Sequence, residues 1–284
     1  PLIIGLTVVS FGTSAPEVAV NAIAAYEGNG DLSFGNIIGS NFANMGLIIG
    51  TAALLRALVI HGVIISRELP MMLLGTLAVS LMAFDPMLRG GEAGTLDRTD
   101  GALLLLLFGV FIYYTIGDAV RQRYDDAFVQ DAEASEYAKN ARGGVLWNLF
   151  LTVAGILGLL GGGRLTVYAG VDLAEAMGVP EVIIGLTIIA IGTSLPELVT
   201  SVTAVLRGQS DIAVGNVVGS NIFNLLFVMG ITACVRPVPV PQGGYTDLFV
   251  MGAMSVLLLP FAITHRRRIV RTEGLVLLIL YISY

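Results

Sequence analysis

The chain has 284 residues, 55% hydrophobic and only 13% charged, with a mean hydropathy of +0.84 and a formal net charge of −6. A soluble chain of this size carries about 25% charged residues, so the deficit excludes a disordered chain, a nucleic-acid binder and most cytosolic enzymes, and the acidic balance adds to the case against polyanionic partners. One cysteine, Cys234, excludes a disulfide framework and a thiolate metal cluster, and reads as a small apolar residue at a helix end.

The apolar residues fall into runs near the ~20 residues that cross ~30 Å of hydrocarbon as a helix. In chain order the spans are 2–26, 32–55, 63–84, 101–118, 145–176, 181–206, 212–235, 248–264 and 272–284, nine helices in all, so the fold class is an all-α membrane protein. The fifth span is too long to cross perpendicularly. It therefore tilts or adds an interfacial piece, with Gly161, Gly162, Gly163 and Arg164 as the bend. The polar segment 119–143 reads as a surface linker between a first half, 1–118, and a second, 144–284. Counting Lys and Arg by alternate breaks puts eleven on one side and three on the other. The linker and the HRRRIVR cluster at 265–271 are therefore expected in the cytoplasm. His61 and His265 fall in loops and read as solvated.

Sliding the chain against itself by 180 residues aligns 1–50 with 181–230 without a gap, with twenty of fifty positions identical. IIGLT, GTS-x-PE and GN-x-x-GSN-x-x-N recur in register. Five spans separate the two starts, an odd number, so equivalent helices run in opposite directions. That is an inverted-topology repeat, the signature of a secondary transporter with its site near the midplane. The second copy is preceded by a helix and the first is not, so a further N-terminal helix is expected, making ten in the intact protein.

Within the repeats, Pro16 donates no backbone hydrogen bond and its ring clashes with the carbonyl of Gly12, and Pro196 does the same over Gly192. The helix is expected to open there, freeing carbonyls near 10–13 and 190–193. Unwound backbone at membrane depth is tolerated only where it is buried in protein or lines a wet cavity. Helical spacing puts Ser10, Thr13, Ser14 and Glu17 on one stripe, and Thr193, Ser194 and Glu197 on its counterpart. One turn separates Ser40 from Asn44, and Ser220 from Asn224.

These are hard oxygen donors without His or Cys, a set that suits calcium, sodium or magnesium and argues against zinc, copper or iron. Two facing carboxylates repel, and one dication neutralises both. When it leaves, Na⁺ or H⁺ must take its place, a physical reason for exchange rather than leak. A plainer reading is available too: Ser14-x-x-Glu17 and Ser194-x-x-Glu197 fit a capping box. Asn36, Asn41, Asn216 and Asn221 either ligate or pin the broken helices, and Glu27, Asp31 and Asp211 read as span-end residues. No nucleophile–base pair or metal-ligand histidine supports an enzyme.

The paired GTS-x-PE and GSN-x-x-N motifs resemble the α-repeats of the cation/calcium exchanger superfamily, the sodium/calcium exchangers, and PLIIGLTVVS…GTSAPE is most similar to their compact bacterial inner-membrane branch. The resemblance implies ten helices in two inverted halves, alternating access, and calcium extrusion driven by sodium influx across a bacterial plasma membrane. It implies no resident cofactor, with Ca²⁺ and Na⁺ as substrates. By motif position, Glu17 and Glu197 become the central calcium carboxylates. Thr13, Ser14, Ser40, Asn44, Thr193, Ser194, Ser220 and Asn224 become calcium and sodium ligands, joined by the backbone carbonyls of Ser10 and Ala190. Some relatives, potassium-dependent ones among them, carry Asp where this chain has Asn224, which argues against potassium co-transport. The rival is a Ca²⁺/H⁺ antiporter on the same fold.

Overall fold

The computed structural model describes residues 9–88, 94–127 and 190–284, with scattered positions between 147 and 177. The Arg164 bend expected in the fifth span, much of the rest of that span and most of the linker lie outside the described residues. Over their described residues the other spans are helical. The first is broken into α1 (Ser10–Thr13) and α2 (Ala15–Glu27), and α3 follows as Gly30–Leu55. A π-helical turn, Ile64–Glu68, leads into α4 (Leu69–Leu88), and α5 is Arg98–Ala127. The second repeat brings α6 (Ala190–Thr193), α7 (Leu195–Leu206) and α8 (Ser210–Val235), then α9 (Gly244–Arg267) and α10 (Arg271–Ser283). Helix α5 thus runs on to Ala127, well past the end of the expected fourth span at 118.

Five of these helices are long and apolar enough to cross a membrane. Their burial separates them: 78% of the apolar window of α3 and 83% of that of α8 is inside the protein, against 28–39% for α4, α5 and α9. The two central helices are therefore α3 and α8, and the outer ones present apolar faces to lipid.

The helix breaks are narrower than the prolines alone suggest. Only Ser14 (φ −87°, ψ 8°) and Ser194 (φ −86°, ψ 1°) leave helical geometry. The Ser14 N–H still reaches the Ser10 carbonyl at 2.9 Å, and the Leu198 N–H reaches the Ser194 carbonyl at 3.0 Å. Proline removes one hydrogen bond and the chain re-forms the next, so the opening is one residue wide.

Short strands show how the halves meet. Strand β1 (Leu58–Val59), after α3, pairs antiparallel with β4 (Arg268–Ile269), between α9 and α10. At the other end, β2 (Thr95–Leu96) pairs with β3 (Val238–Pro239). Leu58 faces Ile269 and Leu96 faces Val238. Leu58 and Val238 occupy the same repeat position, so the two ladders stand at opposite ends of the bundle as a pseudo-two-fold axis in the membrane plane would place them. That is what an inverted repeat requires. Helix C-termini obey the same rule: Arg56 lies against Gly208, and Arg236 against Gly28, each guanidinium placed beside the C-terminal end of a helix of the other repeat, where the helix dipole favours a cation. Both glycines have positive φ, 90° at Gly28 and 78° at Gly208, as a left-handed helix end requires.

Glycine pairs set close helix crossings, with Gly50 and Gly230 at the same repeat position. A methyl at Gly101 would lie 2.7 Å from the Gly230 carbonyl oxygen, and one at Gly274 would lie 2.9 Å from that of Gly50. Such crossings are how small residues hold membrane helices together. Gly101→Leu is expected to cost about 1–3 kcal/mol through overpacking. It should appear as a lowered unfolding temperature, and an unchanged one would argue against the crossing.

The β1–β4 end carries both histidines, and each has a carboxylate beside it: His61 with Asp211 and His265 with Glu273, both at 3.2 Å. Glu273 also accepts from the Thr264 hydroxyl (2.8 Å) and the Val270 N–H (2.9 Å). It thereby ties down a turn in which His265, Arg266 and Arg267 all have positive φ.

Candidate ion-binding site

Four segments build the site: the breaks α1–α2 and α6–α7, and the middles of α3 and α8. All the side chains singled out by the motifs are buried, with Glu17 and Glu197 each 1% exposed and Ser10, Thr13, Ser14, Ser40, Asn44, Thr193, Ser194, Ser220 and Asn224 between 0 and 6%. Ala190 opens α6. The Ser10 carbonyl already accepts from the Ser14 N–H and, at 3.4 Å, from the Thr13 hydroxyl.

The serine–glutamate motifs do not act as capping boxes. Neither Ser14 nor Ser194 makes a side-chain cap bond to its own helix. The Ser14 hydroxyl instead crosses to the other repeat and donates to Glu197 Oε1 at 2.8 Å, where Ser220 also donates at 3.4 Å. Thr13 donates to Asn216 Oδ1 (3.2 Å) and Ser10 to the Asn216 carbonyl (3.2 Å), so α1 is stitched to α8. Ser40 donates to Asn36 (3.3 Å) and lies 3.5 Å from the Thr193 hydroxyl. Asn44 Nδ2 donates to Asn221 Oδ1 at 3.0 Å, joining the two central helices.

Two features were not read from the sequence. Both central helices widen to a π-helix at the second asparagine of the motif, over Asn44–Ile49 in α3 and Phe223–Val228 in α8. Each π segment changes which side chains face inward over one turn, a device often found at functional sites. The second is the support given by Asn21 and Ser201, both fully buried at the same repeat position: Asn21 donates to the Glu17 carbonyl (2.7 Å), and Ser201 accepts from Asn216 Nδ2 (3.1 Å). The signal was available, because a polar residue recurs there 180 residues apart with a different identity.

The site's chemistry follows from what is left over. Glu17 Oε2, Glu197 Oε2, Ser194 Oγ, Asn44 Oδ1 and Asn224 Oδ1 are buried without a hydrogen-bond partner. An unmet buried polar atom costs about 1–3 kcal/mol, and more for a charged one. No Lys, Arg or His forms an ion pair with either glutamate among the described residues. Two carboxylates and several neutral oxygens thus face the low-dielectric interior uncompensated, and a cation held at 2.3–2.6 Å by such oxygens would satisfy them together.

The fold and the site define a helical transporter built from two inverted repeats. A profile of the sodium/calcium exchanger protein family matches residues 1–117 and 147–284, and the chain belongs to that family. It is 39% identical over 262 residues to inner membrane protein YrbG of Escherichia coli (strain K12), covering 90% of this chain and 77% of that protein. It is 31% identical over 312 residues to sodium/calcium exchanger MaX1 of Methanosarcina acetivorans, covering 99% and 87%. Among solved structures, that of the sodium-calcium exchanger NCX_Mj soaked with 10 mM Na⁺ and no Ca²⁺ superimposes with a TM-score of 0.80 at 29% identity, over 99% of this chain and 85% of that one. The chain is therefore a multi-pass membrane antiporter and not an enzyme.

Proposed function

We propose that this chain exchanges Na⁺ for Ca²⁺ by alternating access and exports Ca²⁺ from a bacterial cell. The observation that carries this is the pair of buried glutamates, one from each repeat, without a basic partner and surrounded by neutral oxygens. One Ca²⁺ neutralises both carboxylates. When it leaves, the pair must be neutralised again before the site can cross the membrane, so return of the empty carrier is suppressed.

In this reading Glu17 and Glu197 are the shared calcium carboxylates. Thr13, Ser14, Ser40, Asn44, Thr193, Ser194, Ser220, Asn224 and the carbonyls of Ser10 and Ala190 complete the calcium and sodium shells. The neutral oxygens favour Na⁺ over H⁺ as the counter-ion, because a proton binds one carboxylate oxygen and needs none of them. Family membership supports the cation/calcium class of exchange. The basic residues at the β1–β4 end, Arg56, Arg207 and Arg266 to Arg268 among them, support a cytoplasmic location for that end and for the 119–143 linker, with the chain in the inner membrane.

The test is uptake of ⁴⁵Ca²⁺ into Na⁺-loaded liposomes on dilution into choline. Rapid accumulation is expected, and none in choline-loaded vesicles. Uptake that follows a pH gradient and ignores Na⁺ would make the chain a Ca²⁺/H⁺ antiporter.

A further inference from the structure

The inverted repeat makes every bond in the site one of a potential pair, and the structure makes only one member of each of three pairs. Ser14 donates to Glu197 Oε1, while the equivalent donor Ser194 Oγ is without a partner and the Oε2 atom of each glutamate is open. Asn216 Nδ2 donates to Ser201, while Asn36 Nδ2 and Asn21 Oδ1 are both without one. Asn44 Nδ2 donates to Asn221 Oδ1, while Asn224 Nδ2 and Asn41 Oδ1 are again both unpartnered. Asn224 lacks a partner at both amide atoms, so the asymmetry does not depend on which way that amide is turned.

A bound cation accounts for open oxygens in this set but not for its open donors. Asn36 Nδ2 and Asn224 Nδ2 are donors, which a cation cannot satisfy. Each open donor has an open acceptor at the mirror position, and the π segment that carries Asn224 packs on the part of α3 that carries Asn41.

We propose that Asn221 and Asn41 are positioning residues that close in turn. Asn221 holds Asn44 in the conformation seen here, and Asn41 holds Asn224 in the conformation in which the two repeats have exchanged roles. Neither belongs to the ion-ligand set, and each acts through the ligand-bearing asparagine of the other repeat. Resting on the transporter reading above, this supplies the two-state element that alternating access needs, since breaking one set provides the room to form the other.

The test compares the full-length protein in lipid nanodiscs with Asn221→Ala and with Asn221→Ala/Asn41→Ala, by hydrogen–deuterium exchange in buffer free of Na⁺ and Ca²⁺. The readout is the ratio of exchange in peptides covering 15–27 to that in peptides covering 195–206. Asn221→Ala is expected to shift this ratio about fivefold, the population change that follows from one lost hydrogen bond. Adding Asn41→Ala should return it at least halfway to the wild-type value, because the mirror clamp is now lost as well. A merely structural role predicts further departure, not rescue. A double variant as far from wild type as the single, or no shift in the single, overturns the proposal. If the alanine variants fail to fold, the Asn221→Ser and Asn221→Ser/Asn41→Ser pair is read by the same criterion. No transported ion enters the measurement, so a chain that ignores Na⁺ in the liposome assay still gives or refuses the rescue.

Discussion

Glu17→Gln and Glu197→Gln are each expected to reduce Na⁺-driven ⁴⁵Ca²⁺ uptake to background while the protein stays folded and monodisperse. Glutamine keeps the shape of the side chain and one carbonyl oxygen, so Ser14 and Ser220 retain an acceptor at position 197. What it removes is charge. With one carboxylate left, Ca²⁺ leaves a net positive site in the bilayer interior. A single charge there costs at least about 2.5–3.5 kcal/mol, which is roughly a hundredfold in occupancy before the weaker coordination is counted. The two glutamates come from opposite repeats and are equally buried, so both variants should fail alike. Near-normal transport in either would return that residue to a structural role.

Ser14→Ala carries the next largest effect. Its hydroxyl makes a short cross-repeat hydrogen bond, 2.8 Å to Glu197 Oε1, and hydrogen bonds to charged groups contribute about 1.5–3 kcal/mol. Of the two serine donors, Ser14 and Ser220, alanine leaves Glu197 Oε1 with only the longer Ser220 contact, 3.4 Å. The half-saturation for Ca²⁺ is expected to rise about 10- to 100-fold, measured as the concentration dependence of initial uptake. Ser194→Ala removes a hydroxyl that holds no bond in this conformation, so its effect on the protein's stability should be small. Equal thermal destabilisation by the two would contradict the asymmetry of the site.

Much of this was legible in the sequence because it depends on repetition. The 180-residue register located the two breaks, the two motif helices and the inversion between them, and the structure has all of these. The capping reading of Ser14 and Glu17 shows where local pattern stops: the spacing is right for a cap, yet the hydroxyl finds a buried carboxylate on the other repeat. A partner 183 residues away leaves no trace in a four-residue motif. The π segments at Asn44–Ile49 and Phe223–Val228 were illegible for a related reason, since a π turn differs from an α turn by one residue of packing and is set by what the helix meets. The one-residue width of the breaks depends on whether the next N–H re-forms its bond, which proline does not decide. Symmetry in sequence also conceals asymmetry in structure. Asn41 and Asn221 are the same residue in the same motif, and only the fold shows that one accepts a hydrogen bond and the other does not.

The central claim is that Na⁺ and Ca²⁺ compete for one pair of carboxylates, so movement of either requires the other. Counting ²²Na⁺ efflux and ⁴⁵Ca²⁺ uptake in the same liposomes, with the pH clamped equal on both sides, tests this most directly. The account predicts that the two fluxes start together, hold a constant ratio as the Na⁺ gradient is varied, and vanish together in Glu17→Gln and Glu197→Gln. Calcium uptake that proceeds without ²²Na⁺ efflux, or that appears only when a pH gradient is imposed, would contradict it.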